Sequence, residues 1–349
     1  MADAPSPIQQ ALTTLAEGAS LPETLAADVF GAIMRGEASA VQTAALLMGL
    51  RAKGETPIEV AGAVRALRDA MLKVDAGGIA GPLIDTCGTG GGRIPTFNVS
   101  TAAAFVAVGA GAVVAKHGNR SFTSKCGSAD VLEALGIRIT HDPASARAAL
   151  GEARMVFLFA PNFHPAMRHV TPVRRELGVA SVMNLVGPLA NPAGARRQVV
   201  GVADAGRAEL MAGALARLGT EHALVVHGMI GMDEVAPAGE TKVWEVRGAE
   251  VKTWSIDPAA HGLAVADPRT LAGGEPAENA KRLERVLSGG RSEQDGLAAV
   301  LLNAGAAVYV AGLASSYKEG IARAKAAVES GAARAALETL RRVSPSTSG

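Results

Sequence analysis

Aromatic side chains make up only 3% of this 349-residue chain, and cysteine occurs twice, at Cys87 and Cys126. Two cysteines cannot build a disulfide framework, so the fold must rest on its core, and such usage fits a reducing, cytosolic compartment. An excess of charge is also missing: 34 Lys and Arg against 33 Asp and Glu leave a net +1 at pH 7. That balance excludes a globally basic nucleic-acid binder. The opening stretch 1–12 holds neither Lys nor Arg and no apolar segment, so it does not read as a signal peptide. Long apolar runs are nearly absent. One uncharged stretch, 296–317, is long enough to span a bilayer, but it contains Asn303 and three glycines and lacks aromatic belts. It reads as a buried core helix of a soluble, cytoplasmic protein, with no membrane partner.

What the chain does have is small and apolar. Forty-eight per cent of residues are hydrophobic and 41 are glycine, enough to bury a large core. At about 150 residues per domain the length suggests two domains. Residues 1–77 read as a small helical domain: Pro22 opens one helix, 38–52 makes a second and 57–74 a third, with no strand pattern between them. From 78 to 349 the texture becomes α/β. Strands are expected at 82–85, 112–116, 137–140, 155–159, 198–202 and 223–227, spaced by helical patterns such as 128–135, which Gly136 stops. Alternating units of this kind form a doubly wound, mostly parallel sheet with helices on both faces. Residues 242–246 and 250–256 read as a hairpin, and the chain from Glu278 onward as helical.

Four stretches carry chemistry. Asp85-Thr-Cys-Gly-Thr-Gly-Gly-Gly92 follows a strand and precedes a helix led by Asn98, Ser100 and Thr101. Its glycines free N–H groups to converge, and the helix N-terminus adds positive potential, so a phosphate is the natural occupant. A Gly-rich turn made only for tight packing is the alternative. The stretch fits neither the dinucleotide fingerprint, because Arg93 takes the third glycine position, nor a P-loop. Lys116-His-Gly-Asn-Arg-Ser-Phe-Thr-Ser-Lys125 follows the second strand, in the crevice where open α/β sheets bind ligands, and suits a polyanion. Asp233 and Glu234, adjacent at a strand end, can hold Mg²⁺ shared with substrate phosphates, although an isolated pair of this kind is usually just solvated. Between 163 and 192, arginines and histidines mixed with Phe, Met and Pro suggest a partly apolar pocket with a cation for a carboxylate.

Together these stretches resemble the anthranilate phosphoribosyltransferases. The resemblance rests on Gly88-Thr-Gly-Gly, Thr96-Phe-Asn-Val-Ser-Thr101, Lys116-His-Gly-Asn-Arg-Ser, Gly127-Ser-Ala-Asp-Val-Leu, Asn184-Leu-Val-Gly-Pro-Leu and Gly231-Met-Asp-Glu. These occur in the family's order and spacing from about Leu12 to the final helix. The resemblance implies a homodimer of subunits with a small helical domain, helped by about 165–190, and a larger phosphoribosyl-binding α/β domain. It implies transfer of phosphoribosyl from phosphoribosyl pyrophosphate (PRPP) to anthranilate, releasing pyrophosphate, in tryptophan biosynthesis. By the same resemblance Gly88, Thr89, Gly91, Asn98, Ser100, Thr101 and Lys116 bind PRPP, Thr96 and Ser128 are further substrate-binding candidates, and Ser100, Asp233 and Glu234 form the Mg²⁺ site. Arg174 meets the anthranilate carboxylate, and Gly88, His117, Asn119, His164 and Gly187 line the acceptor site. The family usually reads Gly-Thr-Gly-Gly-Asp-Gly, whereas this chain has Gly92-Arg93. The missing carboxylate is one the family places beside PRPP and a second Mg²⁺, so the departure bears on how many ions bind.

No protein nucleophile is needed if the anthranilate amine attacks the anomeric carbon as pyrophosphate leaves. Lys116, the loop N–H groups and Mg²⁺ would stabilise the leaving group, and Arg174 and Asn119 would hold the acceptor in line. His117 and His164 are candidates for a general base, a role left unassigned because the amine can lose its proton after attack. Two other readings compete. A pyrimidine nucleoside phosphorylase-like enzyme would need a nucleobase pocket, whereas Asn119 and Arg174 suit a carboxylated acceptor. A non-catalytic, nucleic-acid-binding relative would need a basic surface excess.

Overall fold

The computed structural model describes residues 5–121 and 125–344, so Phe122, Thr123 and Ser124 of the polar loop, and the first four residues of the opening stretch, lie outside the described residues. Four helices open the chain: Pro7–Ala16, Glu23–Met34, Ala40–Lys53 and Pro57–Ala70. Three of them start at reciprocal caps, in which Ser6, Ser39 and Thr56 pair with Gln9, Gln42 and Glu59. Each such cap satisfies helix N–H groups that would otherwise lack a partner. Glu59 is also fully buried and binds Lys53 Nζ at 3.1 Å and Leu21 N at 2.8 Å, which ties the third and fourth helices to the loop before the second.

Seven strands follow: β1 (Leu83–Gly88), β2 (Val113–Gly118), β3 (Met155–Phe159), β4 (Arg197–Gly201), β5 (His222–Gly228), β6 (Thr241–Arg247) and β7 (Glu250–Ile256). They form one sheet in the order β3-β2-β1-β4-β5-β6-β7, parallel through β5 and antiparallel for the hairpin β6–β7. The chain winds one way from β1 to β3 and the other way from β4, so the direction reverses between β1 and β4. This is the doubly wound, mostly parallel architecture expected of the sequence.

Both sheet faces are covered. One packs against Val99–Gly109, Gln294–Val310, Tyr317–Glu329 and Ala332–Val343. The other packs against Ala205–Arg217, which in turn meets the helices of the first 70 residues. Val170, Val173, Val182, Met183 and Val186 share that second cluster with Leu46, Val60 and Leu67, so segment 165–190 packs with the N-terminal helices. The uncharged run becomes a buried 17-residue helix, Gln294–Val310, that ends before Gly312. Among the described residues no helix is long and apolar enough to cross a membrane.

One expected strand does not form. In 137–140 only Ile137 makes an isolated bridge, and the segment joins no sheet. Its alternation is real, since Ile137 and Ile139 are both buried, but the helix-side core receives them. Its main chain is held by the C-terminal helix instead, with Arg138 N donating to Ser344 O at 2.8 Å.

Candidate active site at the split end of the sheet

The β1–β2 ladder pairs Leu83 with Val113 and Ile84 with Val114 and then stops. On their outer sides both strands stay paired, β1 with β4 as far as Gly88 and β2 with β3 as far as Gly118. The carboxyl ends of β1 and β2 therefore part, and polar side chains fill the split. Lys116, buried, donates through Nζ to the Thr86 main-chain oxygen and lies 3.3 Å from Ser100 Oγ. Burial lowers its pKa, with the negative charge of Asp85 acting against that shift. An ammonium in this setting is a ready anion site.

The Gly-rich loop runs from the end of β1. Thr89 N donates to Gly201 O at 2.9 Å, and Gly90 and Gly91 adopt φ of +69° and +79°, a conformation that side chains disfavour. Beneath the loop lies Asp233. A Cβ on Gly201 would come 1.6 Å from Asp233 O, and one on Gly92 would come 2.7 Å from Asp233 Oδ1. Small residues here let the 231–234 turn press against the loop. Next to it, Glu234 Oε1 accepts from Ser100 N at 3.2 Å, while its buried Oε2 has no hydrogen-bond partner. Burial first, and the Asp233 charge second, push the Glu234 carboxyl up; burial also raises Asp233. Two adjacent carboxylates, Asp233 half-buried and Glu234 buried with an orphaned oxygen, are relieved by a divalent cation, so these residues fit Mg²⁺. Among the described residues there is no cluster of three or more His, Cys, Asp and Glu that could hold a metal ion.

The helix Val99–Gly109 begins at Asn98, whose φ of +68° is one of two positive values among described non-glycine residues. Asn279 Nδ2 donates to Asn98 Oδ1 at 3.0 Å, and Asn98 Nδ2 donates to Cys126 O at 3.1 Å, so the strained residue is clamped from both sides. Thr101 is fully buried and its hydroxyl has no partner, and the half-buried Thr96 side chain favours the charged form of Glu234.

On the β2 side, His117 and His164 are buried with their Nε2 atoms 3.1 Å apart. Burial pushes their pKa values down to about 3 and about 4, so both rings are neutral at pH 7. Arg174 is half-buried on the helix Thr171–Leu177, with Nη2 3.5 Å from Asn184 Oδ1; burial alone lowers its pKa, and no acidic group offsets that. Gly187 has φ of −54° and open space where a Cβ would go, so neither backbone nor packing demands glycine there. Asn119 and Ser128 are engaged with each other, Ser128 Oγ donating to Asn119 O at 3.2 Å. The second cation of the polar loop, Arg120, is committed to Asp130 and Glu133.

The chain matches two family models, "Glycosyl transferase family, helical bundle domain" over 9–71 and "Glycosyl transferase family, a/b domain" over 80–334. A protein named anthranilate phosphoribosyltransferase from Rubrobacter xylanophilus is 51% identical across 98% of this chain and 99% of its own. The chain belongs to the anthranilate phosphoribosyltransferases. The crystal structure of the family's Thermus thermophilus member superposes with a TM-score of 0.88 at 44% identity, covering 95% of this chain and 99% of that one. The Saccharomyces cerevisiae member, in complex with PRPP and Mg, gives 0.86 at 28% identity, covering 96% and 97%.

Four side chains that brace the candidate site do not stand out in the sequence as site residues. Asp85 and Asn191 sit under the strand split, and Asn191 gave no local signal. Asn279 clamps Asn98 from 181 residues away. The lone amide in the uncharged run, Asn303, bonds both Val235 N and Val235 O at 2.9 Å, anchoring the residue after Glu234. A polar residue inside an otherwise apolar helix was the available clue.

Proposed function

We propose that this chain transfers the phosphoribosyl group of PRPP to the amine of anthranilate and releases pyrophosphate, in tryptophan biosynthesis. The observation that carries the reading is the pairing of a phosphate cradle, Lys116 with the loop at Gly88–Gly92, with Arg174, a half-buried guanidinium with no carboxylate shifting its pKa. A cation desolvated in this way is suited to a carboxylate brought by a ligand. The loop at Gly88, Thr89 and Gly91, with Thr96, Asn98, Ser100, Thr101 and Ser128, surrounds PRPP, and Lys116 faces its pyrophosphate. Charge grows on that pyrophosphate as the bond to the anomeric carbon breaks, so Lys116 acts mainly in the transition state. Arg174 and Asn119 hold the acceptor, and Gly187 leaves its backbone open to close approach. His117 and His164, neutral at pH 7 and paired through their Nε2 atoms, line the acceptor site without adding positive charge.

Ser100, Asp233 and Glu234 would hold Mg²⁺; when bound, it neutralises phosphate oxygens and helps the leaving group depart. The Mg complex of the yeast relative supports this reading. We further read the helical unit as 1–77 with 165–190, the α/β unit as 78–349, and the working enzyme as a cytoplasmic homodimer. The test is a loss of anthranilate fluorescence on adding PRPP and Mg²⁺. No loss at any concentration of folded enzyme contradicts the reading.

A further inference from the structure

Asp85 lies on β1 beneath the site and is fully buried, yet no substrate contact is assigned to it. Its Oδ1 accepts from His117 N at 3.1 Å and its Oδ2 from Asn191 Nδ2 at 2.8 Å. The same Asn191 amide donates to Ala115 O at 2.8 Å, and its oxygen accepts from Ala193 N at 2.9 Å. All of this happens just past Ile84 and Val114, where β1 and β2 stop pairing. In an unbroken parallel ladder the His117 N–H and the Thr86 carbonyl would be joined to main-chain partners across the gap. Here the Asp85 carboxylate takes the first and the Lys116 ammonium takes the second. Two side chains of opposite charge thus replace the missing rungs and hold the split open.

A buried carboxylate is costly unless a cation and hydrogen bonds compensate it, and Lys116 is the cation that acts on it. Residues 116 and 117 are consecutive, so one carboxylate fixes the main chain that presents both the ammonium and the imidazole.

We propose that Asp85 is a positioning residue that acts through Lys116 and His117, holding the ammonium where it meets pyrophosphate oxygens. The proposal deepens the transferase reading and rests on it. Its test therefore uses inorganic pyrophosphate with Mg²⁺ as the probe, so that binding is read apart from turnover. Calorimetric affinity is measured for the intact enzyme and for Asp85→Asn, Lys116→Gln and the double variant. Asp85→Asn keeps the side-chain shape and removes its charge. It is expected to weaken pyrophosphate at least about tenfold, and the double variant to bind no worse than Lys116→Gln alone, because acting through a shared group makes the losses non-additive. Losses that multiply, or unchanged affinity in Asp85→Asn, overturn the proposal. Should Asp85→Asn fail to fold, Asn191→Ser replaces it in the same cycle, since it removes one bond to the carboxylate and leaves the charge. Wild-type enzyme that binds pyrophosphate but does not consume anthranilate counts against the transferase reading and leaves this cycle intact.

Discussion

Arg174 shows how one residue's surroundings define its use. Its guanidinium is partly desolvated and leans on the neutral amide of Asn184, so its charge is available to a ligand. A charge-assisted hydrogen bond to a carboxylate contributes about 1.5–3 kcal/mol. Arg174→Ala should raise the KM for anthranilate at least about tenfold and leave that for PRPP nearly unchanged, as steady-state kinetics will report. Equal rises would make Arg174 structural. Gly92, where the chain departs from its family, is limited by Asp233: a Cβ there would lie 2.7 Å from Asp233 Oδ1. The residue is absent from the left-handed glycines, so its backbone accepts a side chain. Gly92→Asp therefore places a further carboxylate against Asp233, and like charges that close must be compensated. A Mg²⁺ titration should show activity of Gly92→Asp reaching its plateau at higher Mg²⁺ than wild type. Superimposable curves would show that position 92 does not act on the metal.

At the scale of elements, the hairpin β6–β7 depends on Glu245. Its carboxylate accepts from Trp254 Nε1 at 2.9 Å and Tyr309 Oη at 3.0 Å, and pairs with His222 and Arg247. Burial opposes its ionisation, but the bonds from His222, Arg247 and Tyr309 outweigh that and hold its pKa at about 2, against an ordinary 4.5. A depressed carboxylate stabilises the fold fully above the unfolded value, and that contribution fades as pH falls through the folded one. The difference in Tm between wild type and Glu245→Gln should be largest above pH 5 and shrink as pH drops towards 2. A difference constant across that window would mean the carboxylate's charge is irrelevant. Elements were also where the sequence was most and least readable. Strands buried on both faces over nearly their whole length, such as β2 and β5, stand out as short apolar runs, and the sequence places them within a residue or two. The 137–140 segment has the same local pattern, but whether alternating residues join a sheet depends on an adjacent free strand, which local sequence does not encode. The β1–β2 split was invisible for the same reason, because a ladder's end is set by pairing between strands 30 residues apart.

Over the whole molecule, the candidate site lies at the parted carboxyl ends of β1 and β2, and most of its parts are local motifs: the glycine loop, the Lys116 stretch and the acidic pair are legible in the sequence in order. What was not legible are the long-range braces, Asn279 to Asn98 and Asn303 to Val235, whose partners lie far apart in the chain. The helix Ala40–Lys53 bears on the proposed homodimer. One of its faces buries Leu46, Leu47 and Leu50, while Val41 is 79% and Met48 36% exposed on another. Together with Ala44 and Ala45 they form an apolar stripe at helical spacing, suited to a second copy of the chain. If the proposed homodimer pairs through this stripe, Val41→Asp should shift the protein from dimer to monomer in sedimentation with its fold retained; an unchanged mass would place any interface elsewhere. The central claim is a transfer that consumes one anthranilate for each pyrophosphate released. Following both in one reaction with PRPP and Mg²⁺ tests it most directly. The account predicts a 1:1 ratio that disappears without anthranilate, whereas pyrophosphate release independent of anthranilate, or neither change, would contradict it.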